Sequence, residues 1–189
     1  WTVSGDEESK RIGYVTSDTN WWGQFPYNKK GDYLFTGTEN EANTGYIQSS
    51  SFKVGGIGKM TFMMGGGYDP TKCYVSLYEK DTNVELFRFA NYMFHDLNTD
   101  LINRGSNLAN MVQYTADISS AMDKEVYIRV TDNAVNSWGL ITVDSFITYY
   151  ESESSLPKVS YTAIDSLHFE NPTASEYQIV NGGFETGDL

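Results

Sequence analysis

The chain has 189 residues, enough for one domain with an appendage and a real core, so two full domains are not expected. Thirteen Lys and Arg against 25 Asp and Glu leave a net charge of −12, which repels phosphate backbones and anionic lipid surfaces and argues against nucleic-acid and peripheral-membrane partners. The hydrophobic 40 % is dispersed and no apolar run nears the roughly 18–20 residues of a bilayer span; the one cysteine, Cys73, closes no bridge within the chain and builds no zinc site by itself.

Taken in chain order, the sequence predicts strands wherever apolar and polar residues alternate. Weaker runs lie near 11–16, 33–36 and 46–54, followed by a clear one at 59–64. Alternation returns at 73–78, 84–90 and 111–118, then strongly at 125–130 and 139–147. Val126, Ile128 and Val130 are expected in the core, with Tyr127 and Arg129 facing away. Gly55-Gly56, Gly65-Gly66-Gly67, Asp69-Pro70, Asp81-Thr82-Asn83 and Asp132-Asn133 supply turns, and a single helical turn is predicted at 119–123, with Ser119 or Ser120 as its cap.

About nine strands, turn signals between them and almost no helical periodicity predict an all-β fold, a two-sheet antiparallel β-sandwich of the jelly-roll kind, over residues 1–150. After Tyr150 the polar stretch 151–155 and Pro157 mark a linker or extension through about 180. The long irregular stretches 17–32 and 93–110 are where a rigid sandwich usually carries recognition.

The ends carry a resemblance. Asn181-Gly182-Gly183-Phe184-Glu185-Thr186-Gly187-Asp188-Leu189 looks like the opening phrase of many β-sandwich carbohydrate-binding modules, and Trp1-Thr2-Val3 looks like the words that follow it. The sequence therefore reads as a piece of a longer polypeptide with tandem modules, in which 181–189 is the opening strand of the next module or a strand completing this sandwich. Together with the Trp22–Gly31 stretch, Gln48 to Phe52, Gly65-Gly66-Gly67, Cys73 to Ser76, Ala109 to Tyr114, and Asp132 through Ile141, the chain resembles the accessory modules of bacterial glycoside hydrolase family 32 enzymes, which cleave fructans and sucrose. The resemblance implies a galactose-binding-domain-like sandwich. It also implies a secreted or cell-surface bacterial parent, whose catalytic domain and neighbouring modules are partners within one chain.

A catalytic domain of that family needs a carboxylate nucleophile and a second carboxyl as general acid. The sequence contexts that carry them, Asn-Asp-Pro-Asn, Arg-Asp-Pro and Glu-Cys, are absent, and Tyr68-Asp69-Pro70 reads as a turn. No enzyme activity is expected of this chain. The two histidines, His95 and His168, stand in no triad or His-x-x-x-His context, and the triple glycine lacks the Lys-Ser/Thr of a phosphate loop.

Sugar recognition asks for aromatic faces beside planar donors and acceptors. Trp21, Trp22 and Tyr27 offer both with their Asn and Gln neighbours, although the same residues could plug the end of the sandwich. Asn91 with Tyr92, and Trp138 beside Asn136, form further polar-aromatic pairs that could equally be core edge. The expected ligand is fructan or a related neutral glycan. A structural spacer without ligand is the alternative. By resemblance, Asp144 and Glu185 match the carboxylates that hold a structural Ca²⁺ in related sandwiches, the oxygen donors that ion requires.

Overall fold

The computed structural model describes residues 1–4, 13–14, 27–36, 43–92, 110–135 and 140–168. Its strands are β1 (Thr2–Ser4), β2 (Gly13–Tyr14), β3 (Phe35–Thr36), β4 (Gly45–Gln48), β5 (Phe52–Lys53), β6 (Lys59–Gly66), β7 (Cys73–Glu79), β8 (Glu85–Phe89), β9 (Val112–Asp117), β10 (Glu125–Asp132), β11 (Ile141–Ile147) and β12 (Tyr161–Thr162). They form two six-stranded sheets. Sheet I runs β1-β4-β10-β7-β8, with β5 also on β10; sheet II runs β12-β9-β6-β11-β3-β2. The chain is an all-β sandwich. Every pairing is antiparallel except that of β12 with β9, which is parallel and departs from the antiparallel expectation.

Alternation decides the faces. Val126, Ile128 and Val130 of β10 are buried against Val75 and Leu77 of β7 on the inner side of sheet I. Met60, Phe62 and Met64 of β6 meet them from sheet II, and Phe62 lies within 6.0 Å, ring centre to ring centre, of Phe89, Tyr114 and Phe146. Each such side chain contributes about 1.5–3 kcal/mol by leaving water. On the outer side of sheet I, Arg129 lies over the rings of Tyr46 and Tyr78 at 4.2 and 4.7 Å, and Tyr78 stacks on Tyr127. The outer side of sheet II has a different cover, the segment 27–34, whose Tyr27 and Leu34 pack on Met63, Met111 and Leu140.

Of the seven connections between described strands that switch sheets, β5 to β6 and β9 to β10 cross at one end, and the register places the other five at the opposite end. Ser4, Thr36, Gly66, Phe89 and Asp132 leave the sandwich there, and each chain re-enters in the opposite sheet. Gly66 shows why its neighbourhood is glycine-rich: at φ +101° a Cβ would lie 2.1 Å from the carbonyl oxygen of Leu140. The expected turn at Asp69 forms, with its carbonyl accepting from Lys72 and Cys73 and its carboxylate from Thr71. Cys73 is buried and free; burial and the neighbouring Asp132 push its thiol up, so it stays protonated.

The stretch after Tyr150 also differs from a free linker. Over 160–168 it closes one lateral edge of the sandwich: β12 adds to β9, Asp165 bridges to Phe89 in the other sheet, and Ala163 is buried in the core. Among the described residues no helix is long and apolar enough to cross a membrane.

The expected helical turn is a single 3₁₀ turn at Ser119–Ala121, and no Ser caps it; instead the Asp117 carboxylate accepts from the backbone N–H and hydroxyl of Ser119. The Lys59 ammonium, 2.7 Å away across β6 and β9, and these Ser119 bonds lower the Asp117 pKa to about 2. The contribution of this depressed carboxylate is complete above roughly pH 4 and is lost as the pH falls toward 2. Asp117→Asn is expected to cost about 1 kcal/mol or less at pH 7, discounted for its exposure, and little near pH 2, as urea unfolding at the two pH values would show. Gly66→Ala is expected to cost at least about 3 kcal/mol, a fall of roughly 6 °C or more in the thermal midpoint by circular dichroism.

Candidate functional site

Among the described residues, the lateral edge opposite the 160–168 closure is open. There β1 and β4 of sheet I part from β3 and β11 of sheet II and leave a groove of about 290 Å³. Its floor is apolar, made by Val3, Leu34, Phe35, Ile47, Val143 and Phe146. Trp1 and Tyr33 stand at it with 58 % of their surface exposed each, and Asp144 and Ser145 supply its polar groups. The volume sits at the low end of the roughly 300–1,000 Å³ of small-molecule sites.

A bulge in β11 builds this wall. The strand pairs with β6 from Ile141↔Gly66 to Asp144↔Met63, then resumes at Ile147↔Thr61, so β11 spends one residue more than its partner. Ser145 takes up the difference with φ 53°. Under unbroken alternation Phe146, three positions after inward Val143, would point outward; the bulge shifts the phase by one, so the ring turns in and stacks on Phe62 at 5.5 Å and against Trp1 at 5.4 Å. The opposite wall is set by the segment 27–36. The Tyr27 carbonyl accepts from Met111 N–H at 2.9 Å, Asn28 at φ 62° donates through Nδ2 to the Met111 carbonyl, and Lys30 N–H donates to Asp144 Oδ2 at 2.7 Å. Ser145 N–H donates to Asp144 Oδ1 at 2.6 Å.

Sequence reasoning had placed binding residues elsewhere. Trp21, Trp22, Trp138 and Glu185 lie outside the described residues, as does His95. Tyr27 is 1 % exposed and its ring is spent on the packing that fastens 27–34 to sheet II, so it offers no face to a ligand. Asn91 is equally buried: its Nδ2 donates to the Gly66 carbonyl and its Oδ1 accepts from the Tyr114 hydroxyl, both at 2.6 Å. Tyr92 is half-buried, edge-on to Tyr68 at 5.9 Å, and lines a second hollow of about 120 Å³ with Pro70, Ala90, Ile164 and Ser166. Of the described candidates, Asp144 alone lines the larger groove. Trp1 and Tyr33 were missed as binding residues; each is a ring beside a very short strand, β1 and β3, where periodicity gives no reading of exposure.

Among the described residues no three His, Cys, Asp or Glu side chains come together as metal ligands. The described half of the expected calcium pair, Asp144, has an N–H donor on each carboxylate oxygen and, among the described residues, belongs to no cluster of acids that could hold a metal, so it does not by itself make a cation site. His168 pairs with Asp165 at the closed edge, away from the groove.

Comparison of the chain with protein-family models, with curated proteins and with solved structures finds no match. The groove combines two exposed rings with an apolar floor, surfaces of the kind on which the C–H face of a ring can lie.

The placement of Asn91 gives a clear expectation. Asn91→Leu orphans the buried Gly66 carbonyl and Tyr114 hydroxyl and is expected to cost about 2–4 kcal/mol by denaturant unfolding. Ligand affinity of the folded fraction, measured by calorimetric titration, is expected to stay unchanged.

Proposed function

We propose that this chain is a non-catalytic carbohydrate-binding module of a secreted or cell-surface glycosidase of the family-32 kind, one that holds its parent on fructan or a related neutral glycan. The observation that carries the reading is the pair of exposed rings, Trp1 and Tyr33, at an apolar groove whose polar wall is Asp144 and Ser145. Sugar rings lay their C–H faces on such aromatics while their hydroxyls seek planar acceptors. The resemblance of the chain to accessory modules of that family supplies the parent, and a jelly-roll connectivity goes with it. The module's partners are then the catalytic domain and neighbouring modules of the same polypeptide. A weak site suffices for this role, since tethering raises the local substrate concentration without any new contact.

The second reading, a spacer that packs on the catalytic domain, is favoured by one feature. Tyr149 and Val159 are exposed, and neither lines the groove, so they offer apolar surface to a neighbour.

Isothermal titration with levan, inulin and sucrose separates the two. The glycan reading expects heat with at least one of them, and Trp1→Ala is expected to weaken that binding by about tenfold or more while leaving the thermal midpoint unchanged. No heat with any of the three at millimolar sugar leaves the spacer.

A further inference from the structure

We propose that the outer face of sheet I is a second binding site, separate from the groove, which takes the carboxylate of a uronic-acid sugar on the guanidinium of Arg129.

The first observation is a cation without a counter-ion. Arg129 is half-buried in mid-sheet, with Gln48 of β4 opposite it on one side and Ser76 of β7 on the other. Its guanidinium lies 4.2 Å from the ring centre of Tyr46, 4.7 Å from that of Tyr78 and 5.6 Å from that of Tyr127. The rings hold the charge but do not neutralise it. Arg88, two strands away on the same face, shows the satisfied case: it donates to both oxygens of Glu85 and to the Pro70 carbonyl. Arg129 makes a single side-chain hydrogen bond, from Nη2 to Gln48 Oε1 at 2.9 Å, and pairs with no carboxylate among the described residues. Glu85 is spent on Arg88 and Ser76, and Glu125, at the start of β10, on Lys80. Burial and the nearby Glu85 push the Tyr78 hydroxyl up, so no tyrosinate stands in for an acid.

The second observation is the set of unused polar groups around that cation. Arg129 Nε is buried with no acceptor, a shortage that native interiors rarely leave, and Nη1 also donates to nothing although it reaches the surface. The planar end of the guanidinium is thus open to a planar acceptor, and a carboxylate is the acceptor whose geometry matches it. Because Arg129 only donates, the Gln48 atom that meets it is the carbonyl oxygen, which leaves the Gln48 amide N–H groups free. Thr131 lies two residues along β10, on the same face and about 7 Å away, between Tyr46 and Tyr74 in register. It is buried, yet its hydroxyl makes no hydrogen bond among the described residues and is not sealed from solvent. A sugar acid uses all three groups, with its carboxylate on Arg129 and its hydroxyls on Gln48 and Thr131. A plain aliphatic acid uses only the first. The net charge of −12 repels polyanions, so the fitting ligand carries one carboxylate rather than a run of them.

The test is a nuclear magnetic resonance titration of the chain and its Arg129→Lys and Thr131→Val variants, followed at the Arg129 Nε–H and Thr131 N–H signals. The probes are methyl glucuronoside, its methyl ester, methyl glucoside, acetate and a blocked glutamate. Methyl glucuronoside is expected to shift both signals saturably, and less so as salt is added. The ester and the glucoside are expected to bind at least about tenfold more weakly, as is the uronide to Arg129→Lys, which keeps the charge and loses the planar fork. Thr131→Val is expected to weaken the uronide by about threefold and to leave acetate unchanged. Should Arg129→Lys fail to fold, the ester and the glucoside decide. No saturable shift with the uronide, or equal affinity for its ester, overturns the proposal. Acetate or the blocked glutamate binding as tightly as the uronide overturns it too, since the site then reads any carboxylate, a protein's included. Levan and inulin binding is expected to be the same in the Arg129 variant as in the parent, so failure here leaves the reading of the groove intact.

Discussion

A residue on a strand faces one side of its sheet or the other, and the molecule is organised by how strictly β6, β7 and β10 obey that constraint. Phe62 sits where the inner faces meet, ringed by Phe89, Tyr114 and Phe146 from three other strands, so its position fixes the register of both sheets at once. A one-residue slip in β10 would exchange Val126, Ile128 and Val130 for Tyr127 and Arg129 and bury a guanidinium in the seam. The outward set is organised by the same rule. Arg129 there finds no carboxylate among the described residues and is held instead by Tyr46, Tyr78 and the side chain of Gln48.

The two outer faces and the two lateral edges are treated unequally, and this inequality makes the groove. Sheet II is covered from outside by 27–34, and its far edge is completed by β12; Asp165 reaches over to accept from Arg88 N–H, fastening the sheets together on that side. On the other side β1 is only three residues long, and the bulge in β11 draws Phe146 inward rather than across the gap. The space left over is apolar at its floor, with Trp1, Tyr33 and the bulge residues around it. An opening of this kind is thus a by-product of how the core is filled.

Much of the scaffold was legible from residue alternation. The strong runs at 59–64, 73–78, 125–130 and 139–147 coincide with β6, β7, β10 and β11, because each has one face in the core. β1 and β12 were not foreseen: three and two residues carry no period, and their pairing is decided by which edges are left free. The candidate site was legible only at Asp144, and there by resemblance rather than by physics. Tyr27 and Asn91 looked like recognition residues since aromatic and amide side chains serve both roles. What consigns them to structure is tertiary: the Met111 and Leu34 packing around one, the Gly66 carbonyl and Tyr114 hydroxyl around the other. A bulge is equally invisible in a sequence where no glycine announces it.

The closure by 160–168 has a mechanical meaning. Tension arriving along the chain beyond 168 is applied first to the two-residue β12 ladder and to the Asp165 contacts, and only afterwards to the long antiparallel pairs of β6 and β10. Short ladders at an edge open at the low end of the stability scale. The clasp would therefore yield as a fuse, letting a pulled chain lengthen by several residues while the aromatic seam, and the groove on the far side of it, keep their shape.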